Sequence, residues 1–267
     1  MKLTDPKSRE WNSGTYDRVS GPQLEWGKRV VARVALNGSE TLLDAGCGTG
    51  RITRELLQRL PHGRVVAVDL SQNMLHAAQL HLHSEFGDRI SFVAADLESL
   101  PFEAAFDVIF STAAFHWIPD HNQLFRSLYH ALRPGGRMEA QCGGERNLER
   151  LRNRVSALSA SLPYGTFLAN YCDAWVFSDA ETAARRLANA GFVEVKTWLE
   201  PAPTSFTDRE QYREFIANVI LHRRLEKIPQ ISWREKFLDE LTSQAAADDP
   251  PFELDYRRLN LSAGKAL

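Results

Sequence analysis

The stretch LLDAGCGTGR, residues 42–51, runs from an apolar segment through three alternating glycines. Glycine has no Cβ and tolerates positive φ, so such a turn lets backbone N–H groups approach a ligand closely. Arg51 stands where a dinucleotide fingerprint would place its third glycine, and the Gly-Lys-Ser/Thr of a P-loop is missing. Asp44 precedes the turn, where a carboxylate disfavours a phosphate and favours a cation. The stretch therefore predicts a turn that binds a positively charged small molecule.

Two further acids follow the next apolar runs of the chain. Asp69 ends RVVAVD, and Asp96 ends ISFVAAD. The first carboxylate can accept hydrogen bonds from both hydroxyls of a ribose, and the second can accept from the exocyclic amine of an adenine. One such acid is common by chance, but three acids at the ends of successive strands form a specific constellation. The pattern favours a positively charged nucleoside as the ligand.

The elements that must position these residues alternate along the chain. Short β-branched runs predict strands at 41–45, 64–70, 90–94, 106–111, 136–142, 192–199 and 254–263, and helical patterns occupy 52–60, 73–82, 123–132 and 180–190. Apolar strands separated by helices indicate a parallel sheet covered on both faces. We predict a doubly wound, Rossmann-like α/β fold with a seven-stranded, mostly parallel sheet and an antiparallel last strand. The carboxyl ends of its strands then share one edge, where ligands bind.

Residues 1–267 are predicted to form one domain. It comprises an N-terminal helical cap at 1–38, a core at 40–142, two insertions at 144–178 and 207–247 that cover the site, and a closing helix and strands at 179–200 and 252–264. Asp179 is a plausible N-cap for the helix that follows it. The apolar alternation of the last strand changes phase by one residue, which predicts a bulge near Arg257 and Arg258.

The composition excludes several classes of protein. With 43% hydrophobic residues and a formal net charge of -2, the chain lacks the surplus positive charge of a nucleic-acid coat. Its three cysteines have no paired spacing, which fits a reducing compartment. The first residues are too polar for a signal peptide, and no apolar run approaches the roughly 20 residues of a membrane span. We expect a cytoplasmic protein without nucleic-acid or membrane partners, and its oligomeric state is not indicated.

The glycine turn and its acids together resemble class I S-adenosylmethionine-dependent methyltransferases over essentially the whole of residues 40–142. The resemblance implies S-adenosylmethionine as the cofactor, which carries a sulfonium and an ammonium but no phosphate. It implies that Asp44 lies near the amino group and that Asp69 holds the ribose. The remaining implied contacts are Gly46, Cys47 and Gly48 with the methionyl part, Leu70 and Met74 with the faces of the adenine, and Asp96 and Leu97 with its edge.

Two further stretches are similar to trans-aconitate and insect juvenile hormone acid methyltransferases, which methylate carboxylates. They are the N-terminal WNSGTYDRVSGPQLEWGKRV and STAAFHWIPDH after the fourth strand, and the closing LDYRRLNLSAGKA extends the similarity. The resemblance implies that Gln23, seven positions after Tyr16, and Trp117 hold the acceptor carboxylate. Ser111 is expected near the cofactor, with His116 beyond it, and Tyr16 is expected to close over the cofactor.

Other interpretations of these residues stay open at the level of sequence. Trp117 is also suited to be a wall of the pocket, and His116 to be a packed histidine rather than a base. The expected acceptor is a small molecule methylated on a carboxylate oxygen; the alternatives are methylation at carbon, nitrogen or a phenolic oxygen, or a non-catalytic cofactor-binding protein. A nicotinamide oxidoreductase is disfavoured by the missing glycine. No metal site is expected, because the spacing of His81 and His83 points them apart on a helix.

Overall fold

A seven-stranded sheet organises the part of the chain that the structure describes. The computed structural model describes residues 10–11 and 13–267, apart from the side chains of Thr15, Tyr16 and Val19. The strands are β1 Thr41–Ala45, β2 Arg64–Asp69, β3 Ile90–Ala94, β4 Phe106–Thr112, β5 Leu132–Gly143, β6 Val193–Pro201, β7 Thr204–Ser205, β8 Glu253–Leu254 and β9 Arg257–Gly264. The main sheet has the order β3-β2-β1-β4-β5-β9-β6, while β7 and β8 pair separately. Only β9 is antiparallel to its neighbours β5 and β6 in this sheet. The predicted fold is confirmed.

The strand order creates a switch point beside β1. The chain builds β2 and β3 on one side of β1 and then crosses to place β4 on the other side, so β1 pairs in parallel with both β2 and β4. Loops leaving neighbouring strands diverge at such a point and open a crevice at the carboxyl edge. The glycine turn after β1 and Asp69 at the end of β2 therefore meet there.

Helices cover both faces of the sheet. They are α1 Ser13–Val19, α2 Gly21–Arg33, α3 Arg51–Gln58, α4 Gln72–Phe86, α5 His121–Ala131, α6 Glu149–Ala160, α7 Gly165–Leu168, α8 Ala180–Asn189, α9 Arg209–Phe215, α10 His222–Glu226 and α11 Ile231–Ala246. Helices α2, α3 and α4 bury their apolar side chains in one cluster, and α5 and α8 do so in another. A π-helical turn at Ile216–Ile220 separates α9 from α10.

The two predicted insertions pack on one another rather than lying on the sheet separately. Apolar residues of α6, α7, α9, α10 and α11 form a third buried cluster, which also includes Trp26 of α2 and Tyr256. Asp179, the predicted N-cap of α8, accepts a hydrogen bond from the backbone nitrogen of Thr182 at 2.7 Å. Helix α8, which follows the first insertion, therefore begins at the residue that the sequence indicated.

The predicted bulge near Arg257 and Arg258 is wrong. Residues Glu253 and Leu254 belong to the small β7·β8 sheet, whereas β9 joins the main sheet at Arg257 and stays in register to Gly264. The phase change therefore marks a strand that passes from one sheet to another. The register shift lies instead in the partner strand, between Val193 and Lys196 of β6.

Two boundaries also differ from the prediction around α5. The helix begins at His121 because the Asp120 carboxylate accepts from the backbone nitrogens of Asn122 and Gln123, and it ends at Ala131. Strand β5 starts directly afterwards and includes the Arg-Pro-Gly-Gly segment that was predicted to be only a helix stop. In the described residues no helix is long and apolar enough to cross a bilayer.

Candidate active site

The glycine turn after β1 is held tightly at one position and left open at another. The backbone nitrogens of Gly46 and Cys47 both donate to the Val68 carbonyl, at 2.8 and 2.9 Å. Gly46 has a φ of +89°, and a Cβ there would lie 2.4 Å from the Ala114 Cβ. Gly48 has a φ of +55° and faces open space. Glycine is thus required for packing at the first position, and at the next it exposes backbone to a ligand.

Asp69 is oriented by two backbone donors. Its Oδ2 accepts from the nitrogen of Gly48 and its Oδ1 from the nitrogen of Ser71, both at 2.9 Å. Removal from bulk water raises the pKa of Asp69, and the nearby Glu10 carboxylate raises it further, while the two backbone hydrogen bonds lower it. Each oxygen retains a lone pair for a ligand hydroxyl. The carboxylate is therefore fixed in place before any ligand binds.

Asp44 is more deeply buried than Asp69 and lines the smaller of two cavities beside the glycine turn. Its side chain is buried, and Thr53 Oγ1 donates to its Oδ2 at 2.7 Å. Burial raises the pKa of Asp44 to about 7; the Thr53 hydrogen bond opposes this shift and the charge of Asp69 adds to it. Two desolvated carboxylates in one neighbourhood repel each other. A bound cation would relieve this repulsion.

Two cavities adjoin at the glycine turn. The larger takes in about 1170 Å³ of space, part of it open to solvent, and the smaller about 470 Å³. The larger reaches from the glycine turn to both insertions, since Asn147, Phe177 and Val219 also line it. The residues that line both are Gln23, Gly46, Gly48, Thr112 and Ala113. The site is therefore a pair of connected chambers.

Most residues expected to contact the cofactor lie around these chambers. The larger cavity is lined by Gly46, Gly48, Asp69, Leu70, Met74, Asp96 and Leu97, and the smaller by Asp44, Gly46, Cys47 and Gly48. Asp96 also accepts from the backbone nitrogen of Glu98 through its Oδ1, at 3.0 Å, which starts a short 3₁₀ turn. The three predicted acids thus gather along one edge of the sheet.

Ser111 does not fit its expected place near the cofactor. Its side chain is 1% exposed, donates to the Ala45 carbonyl at 2.6 Å, and lines neither cavity. Strand β4 continues to Thr112, so the alternation of its side chains turns Ser111 into the sheet. Thr112 and Ala113 line the chambers in its place.

The far end of the larger cavity has aromatic and apolar walls. They come from the N-terminal segment, α2, the loop after β4, both insertions and the segment before β9, and consist of Trp11, Trp26, Trp117, Trp175, Phe177, Val219, Ile220 and Tyr256. Trp11 packs edge-on against Trp117, with ring centroids 5.2 Å apart. These walls lower the local polarity, which strengthens polar contacts made beside them.

Gln23 supplies a polar group between the two ends. Its Oε1 is buried, and no described residue hydrogen bonds to it. An unsatisfied buried amide is costly, typically about 1–3 kcal/mol, so its presence here points to a ligand. Trp117 lines the same cavity, a position that both its predicted role as a donor and the alternative of a pocket wall require. The side chain of Tyr16 lies outside the described residues, and only its place in α1 is known.

His116 lines the cavity as a hydrogen-bond donor. Its Nδ1 accepts from the backbone nitrogen of Gly143 at 3.2 Å, and its ring stacks on Phe177 with centroids 5.8 Å apart. A neutral imidazole that accepts at one nitrogen carries its proton on the other. His116 therefore presents an N–H at Nε2 and has no ready position to take a proton from a substrate.

Several lining residues escaped the sequence analysis. Arg51, noted there only as a break in a fingerprint, lines the smaller cavity, where its Nη1 donates to the Asp17 carbonyl at 3.0 Å. Arg258 lines the larger cavity, and so does Trp11. The charged pair in the last strand was a usable signal for Arg258, because a charge in an apolar strand pattern needs an explanation.

The N-terminal segment is tied across the cavity edge. The Glu10 carboxylate accepts from Ser71 Oγ at 2.9 Å and from the backbone nitrogens of Gln72 and Asn73, at 3.1 and 3.2 Å. These groups form the start of α4, where a carboxylate is favoured. The adjacent Trp11 is thereby placed against Trp117 in the wall of the larger cavity. Among the described residues, no cluster of three or more His, Cys, Asp or Glu side chains is arranged to hold a metal ion.

Comparisons with known proteins agree with this geometry. Residues 42–136 match the family described as methyltransferase domain. The chain is 29% identical to an uncharacterized methyltransferase of Schizosaccharomyces pombe, over 96% of this chain and 98% of that one. It is 35% identical to a trans-aconitate 2-methyltransferase of Azoarcus, over 49% of this chain and 50% of that enzyme. The second alignment thus spans about half the length of the enzyme it matches. The predicted resemblance is confirmed.

A solved structure shares the fold over nearly the whole chain. Phosphoethanolamine N-methyltransferase 2 of Haemonchus contortus, in complex with phosphomonomethylethanolamine and S-adenosylhomocysteine, superposes with a TM-score of 0.63 at 22% identity. The match covers 96% of this chain and 57% of that one. At this identity the likeness concerns the fold.

Asp44→Asn should change how stability depends on pH in the ligand-free protein. The pKa of Asp44 in the folded state, about 7, exceeds its ordinary value of 3.8, so the folded protein binds this proton more tightly than the unfolded chain does. The contribution of Asp44 to the free energy of unfolding therefore falls as pH rises from about 4 to about 7, by up to about 4 kcal/mol. Urea denaturation should find the variant more stable than the wild type at pH 8 and similar at pH 4.

The exposed Asp88 provides the matched control, and Asp88→Asn should track the wild type at every pH. A stability difference between Asp44→Asn and wild type that stays constant from pH 4 to pH 8 would contradict the raised pKa.

Proposed function

We propose that this chain, which carries an S-adenosylmethionine-dependent methyltransferase domain, transfers a methyl group to a carboxylate oxygen of a small acceptor with an apolar body. The trans-aconitate 2-methyltransferase of Azoarcus supports a carboxylic acid as the acceptor. The apolar walls of the chamber support an acceptor more hydrophobic than a small tricarboxylate. Segments 144–178 and 207–247 then act as covers of the site. A cytoplasmic location, expected from the sequence, belongs to the same proposal.

The residues around the glycine turn fit S-adenosylmethionine. A ligand with a sulfonium and an ammonium suits Asp44 and Asp69, whose pKa values are raised first by burial and further by a neighbouring carboxylate. Arg51, which lines the same smaller chamber, is suited to the carboxylate of the methionyl part. Asp69 is proposed to hold the ribose hydroxyls, and Asp96 the adenine amine. When bound, the cofactor supplies an electrophilic methyl carbon.

Asp69→Ala should weaken binding of S-adenosylhomocysteine by roughly 100-fold, because two hydrogen bonds from a charged acceptor to the ribose would be lost. Isothermal titration calorimetry measures this directly. Asp88→Ala, which removes an exposed carboxylate outside the cavities, should bind like the wild type. Equal affinities for wild type and Asp69→Ala would end the assignment of the cofactor site.

The chain's part in methyl transfer is to position and desolvate the acceptor. An in-line displacement needs the nucleophile near attack distance and aligned, and holding it there supplies much of the rate. Gln23 can donate from its amide, and Trp117 from its indole N–H. Neutral donors fix the orientation of a carboxylate without cancelling its charge, so its oxygen stays nucleophilic. A carboxylate is already ionised at neutral pH and needs no base.

The position of Gln23 is the observation on which this proposal depends most. It lines both chambers, so it stands between the cofactor end and the acceptor end. Its amide N–H₂ can donate to a carboxylate at that point, whereas its amide oxygen, which lacks a partner among the described residues, can accept from a donor of the cofactor or the acceptor. A polar side chain at that junction is useful if a polar group of the acceptor must face the methyl donor there.

Gln23→Leu and Trp117→Phe should each lower kcat/KM for the acceptor by roughly 10- to 100-fold and leave the affinity for S-adenosylhomocysteine within about twofold, because each removes one donor to the acceptor. Trp198→Phe is the matched control: Trp198 lies on β6, is 37% exposed and lines neither chamber. Turnover and calorimetry on the same preparations separate the two effects. Losses of equal size in turnover and in cofactor affinity would make these residues part of the cofactor site or of the packing.

The second candidate is methylation at carbon, nitrogen or a phenolic oxygen with His116 as the base. The Gly143 N–H that occupies His116 Nδ1 disfavours this role. With a carboxylate acceptor, kcat at saturating cofactor should vary less than about threefold between pH 6.5 and 8.5, and His116→Gln should preserve that flat profile. A tenfold rise over this range that His116→Gln abolishes would establish the base. Retained cofactor binding with no product from any acceptor would favour a non-catalytic protein.

A further inference from the structure

The segment between β5 and α6 places a buried amide in the wall of the larger cavity. Asn147 is 2% exposed, lines this cavity and does not line the smaller one. A buried amide needs hydrogen-bond partners for its polar atoms, because an unpaired one is costly. The partners of the Asn147 amide therefore indicate what the side chain does.

One polar atom has a partner that fixes the orientation of the amide. Asn147 Oδ1 accepts a hydrogen bond from the backbone nitrogen of Arg257 at 2.8 Å. A backbone N–H only donates, so the atom that meets it is the oxygen, and the amide is not free to turn over. The nitrogen Nδ2, with its two hydrogens, therefore lies on the other side of the amide group.

The Nδ2 group faces the cavity. No described residue accepts a hydrogen bond from it. It is also not among the buried side-chain atoms that lack a partner, so it keeps contact with open space. Because Asn147 is buried and lines the larger cavity, that space is the cavity. The partner of this donor is then supplied by whatever occupies the chamber.

This donor lies beside the aromatic wall. A Cβ on Gly143 would lie 3.0 Å from Asn147 Nδ2 and 2.6 Å from Cε1 of Phe177, so the amide and the ring both pack against Gly143. Phe177 lines the larger cavity and not the smaller one, and its ring stacks on that of His116. The Asn147 donor thus belongs to the part of the chamber in which the apolar body of the acceptor is proposed to bind.

The backbone around Asn147 is held in one conformation. The nitrogen of Leu148 donates to the Asp255 carbonyl at 3.2 Å. Arg146 and Leu148, which flank Asn147, have φ values of +60° and +56°, in the left-handed region that is unfavourable for residues other than glycine. Residues held in such conformations cluster at ligand sites, where they fix a group in advance. A donor fixed in this way loses little entropy when a ligand binds.

We propose that Asn147 is a specificity-determining residue that donates a hydrogen bond from Nδ2 to an oxygen of the bound acceptor. This inference rests on the proposed function. Because Arg257 occupies Oδ1, the amide presents only donors to the chamber, so it selects an oxygen that accepts and disfavours an N–H group at the same place. That oxygen belongs to the carboxylate or to a carbonyl on the body of the acceptor, and the chemistry of recognition is the same for both.

Asn147→Asp tests this role, because it keeps an oxygen that accepts from Arg257 and replaces Nδ2 by a negatively charged oxygen. The acceptors are straight-chain acids of four to ten carbons, each with and without an oxo group on the chain. For the acid that the wild type methylates best, kcat/KM should fall by roughly 100-fold, mainly through KM, and the affinity for S-adenosylhomocysteine should stay within about twofold. A loss that includes the plain acids identifies the carboxylate as the partner, and a loss confined to the oxo acids identifies the carbonyl.

The pH dependence separates a donor from a packing residue. Protonation of the introduced carboxyl restores a donor in place of Nδ2, so kcat/KM of Asn147→Asp relative to the wild type should rise by roughly tenfold between pH 8 and pH 5. Asn147→Ala removes the donor without adding a charge. It should lower kcat/KM by roughly 10-fold, and its ratio to the wild type should not change with pH.

Asn37→Asp is the matched control. Asn37 Oδ1 likewise accepts from a backbone nitrogen, that of Ser39 at 3.0 Å, but Asn37 is exposed and lines neither chamber. The same exchange of an amide for a carboxylate there should leave both kcat/KM and cofactor affinity within about twofold of the wild type.

The outcomes separate the two proposals. If Asn147→Asp keeps the wild-type kcat/KM on every acid, or loses acceptor turnover and cofactor affinity equally, the role of Asn147 is overturned and carboxylate methylation stands. If Asn147→Asp does not fold, Asn147→Ala decides, and an unchanged kcat/KM in that variant overturns the role. If the wild type methylates no carboxylic acid, the proposed function fails and the role of Asn147 fails with it.

Discussion

The site depends on the desolvation of two carboxylates at one edge of a parallel sheet. Asp44 and Asp69 end neighbouring strands, and removal from water raises the pKa of both. Without a positively charged partner, each buried carboxylate lowers the stability of the folded protein. Gly46 and Gly48 bring the backbone of the turn close to the same two carboxylates. A cationic ligand converts this unfavourable arrangement into a favourable one. The turn, the acids and the smaller chamber therefore act together to favour a positively charged ligand.

The larger chamber places different polar groups among aromatic walls. Gln23 and Trp117 line it with neutral donors, and the buried Arg258 guanidinium lines it 4.5 Å from the ring centroid of Trp26. Low polarity around these groups strengthens each contact and makes a wrong one costly. Its aromatic and apolar walls come from six separate parts of the chain, so the covers supply part of its lining.

Periodicity identified the sheet because apolar strands and amphipathic helices alternate with distinct periods, and the acids were readable because parallel strands bring their carboxyl ends to one edge. Residues whose role depends on the direction of the side chain were harder to predict from the sequence. Ser111 was expected near the cofactor from its place at the end of β4, but the strand continues by one residue and turns it inward. The phase change before β9 was interpreted as a bulge, although it records passage between two sheets. Local patterns do not distinguish these cases.

The sequence by itself determined the α/β order, the glycine turn, and the association of Asp44, Asp69 and Asp96, because each depends on local composition and on the geometry that every parallel sheet shares. Only the tertiary structure decided the acceptor end. Trp11, Trp175 and Tyr256 lie far apart in the chain and line one cavity because the helical covers pack on one another and on Tyr256. The protonation of His116 was likewise set by a distant backbone group, Gly143. Such contacts arise from long-range packing, which no short window of sequence contains.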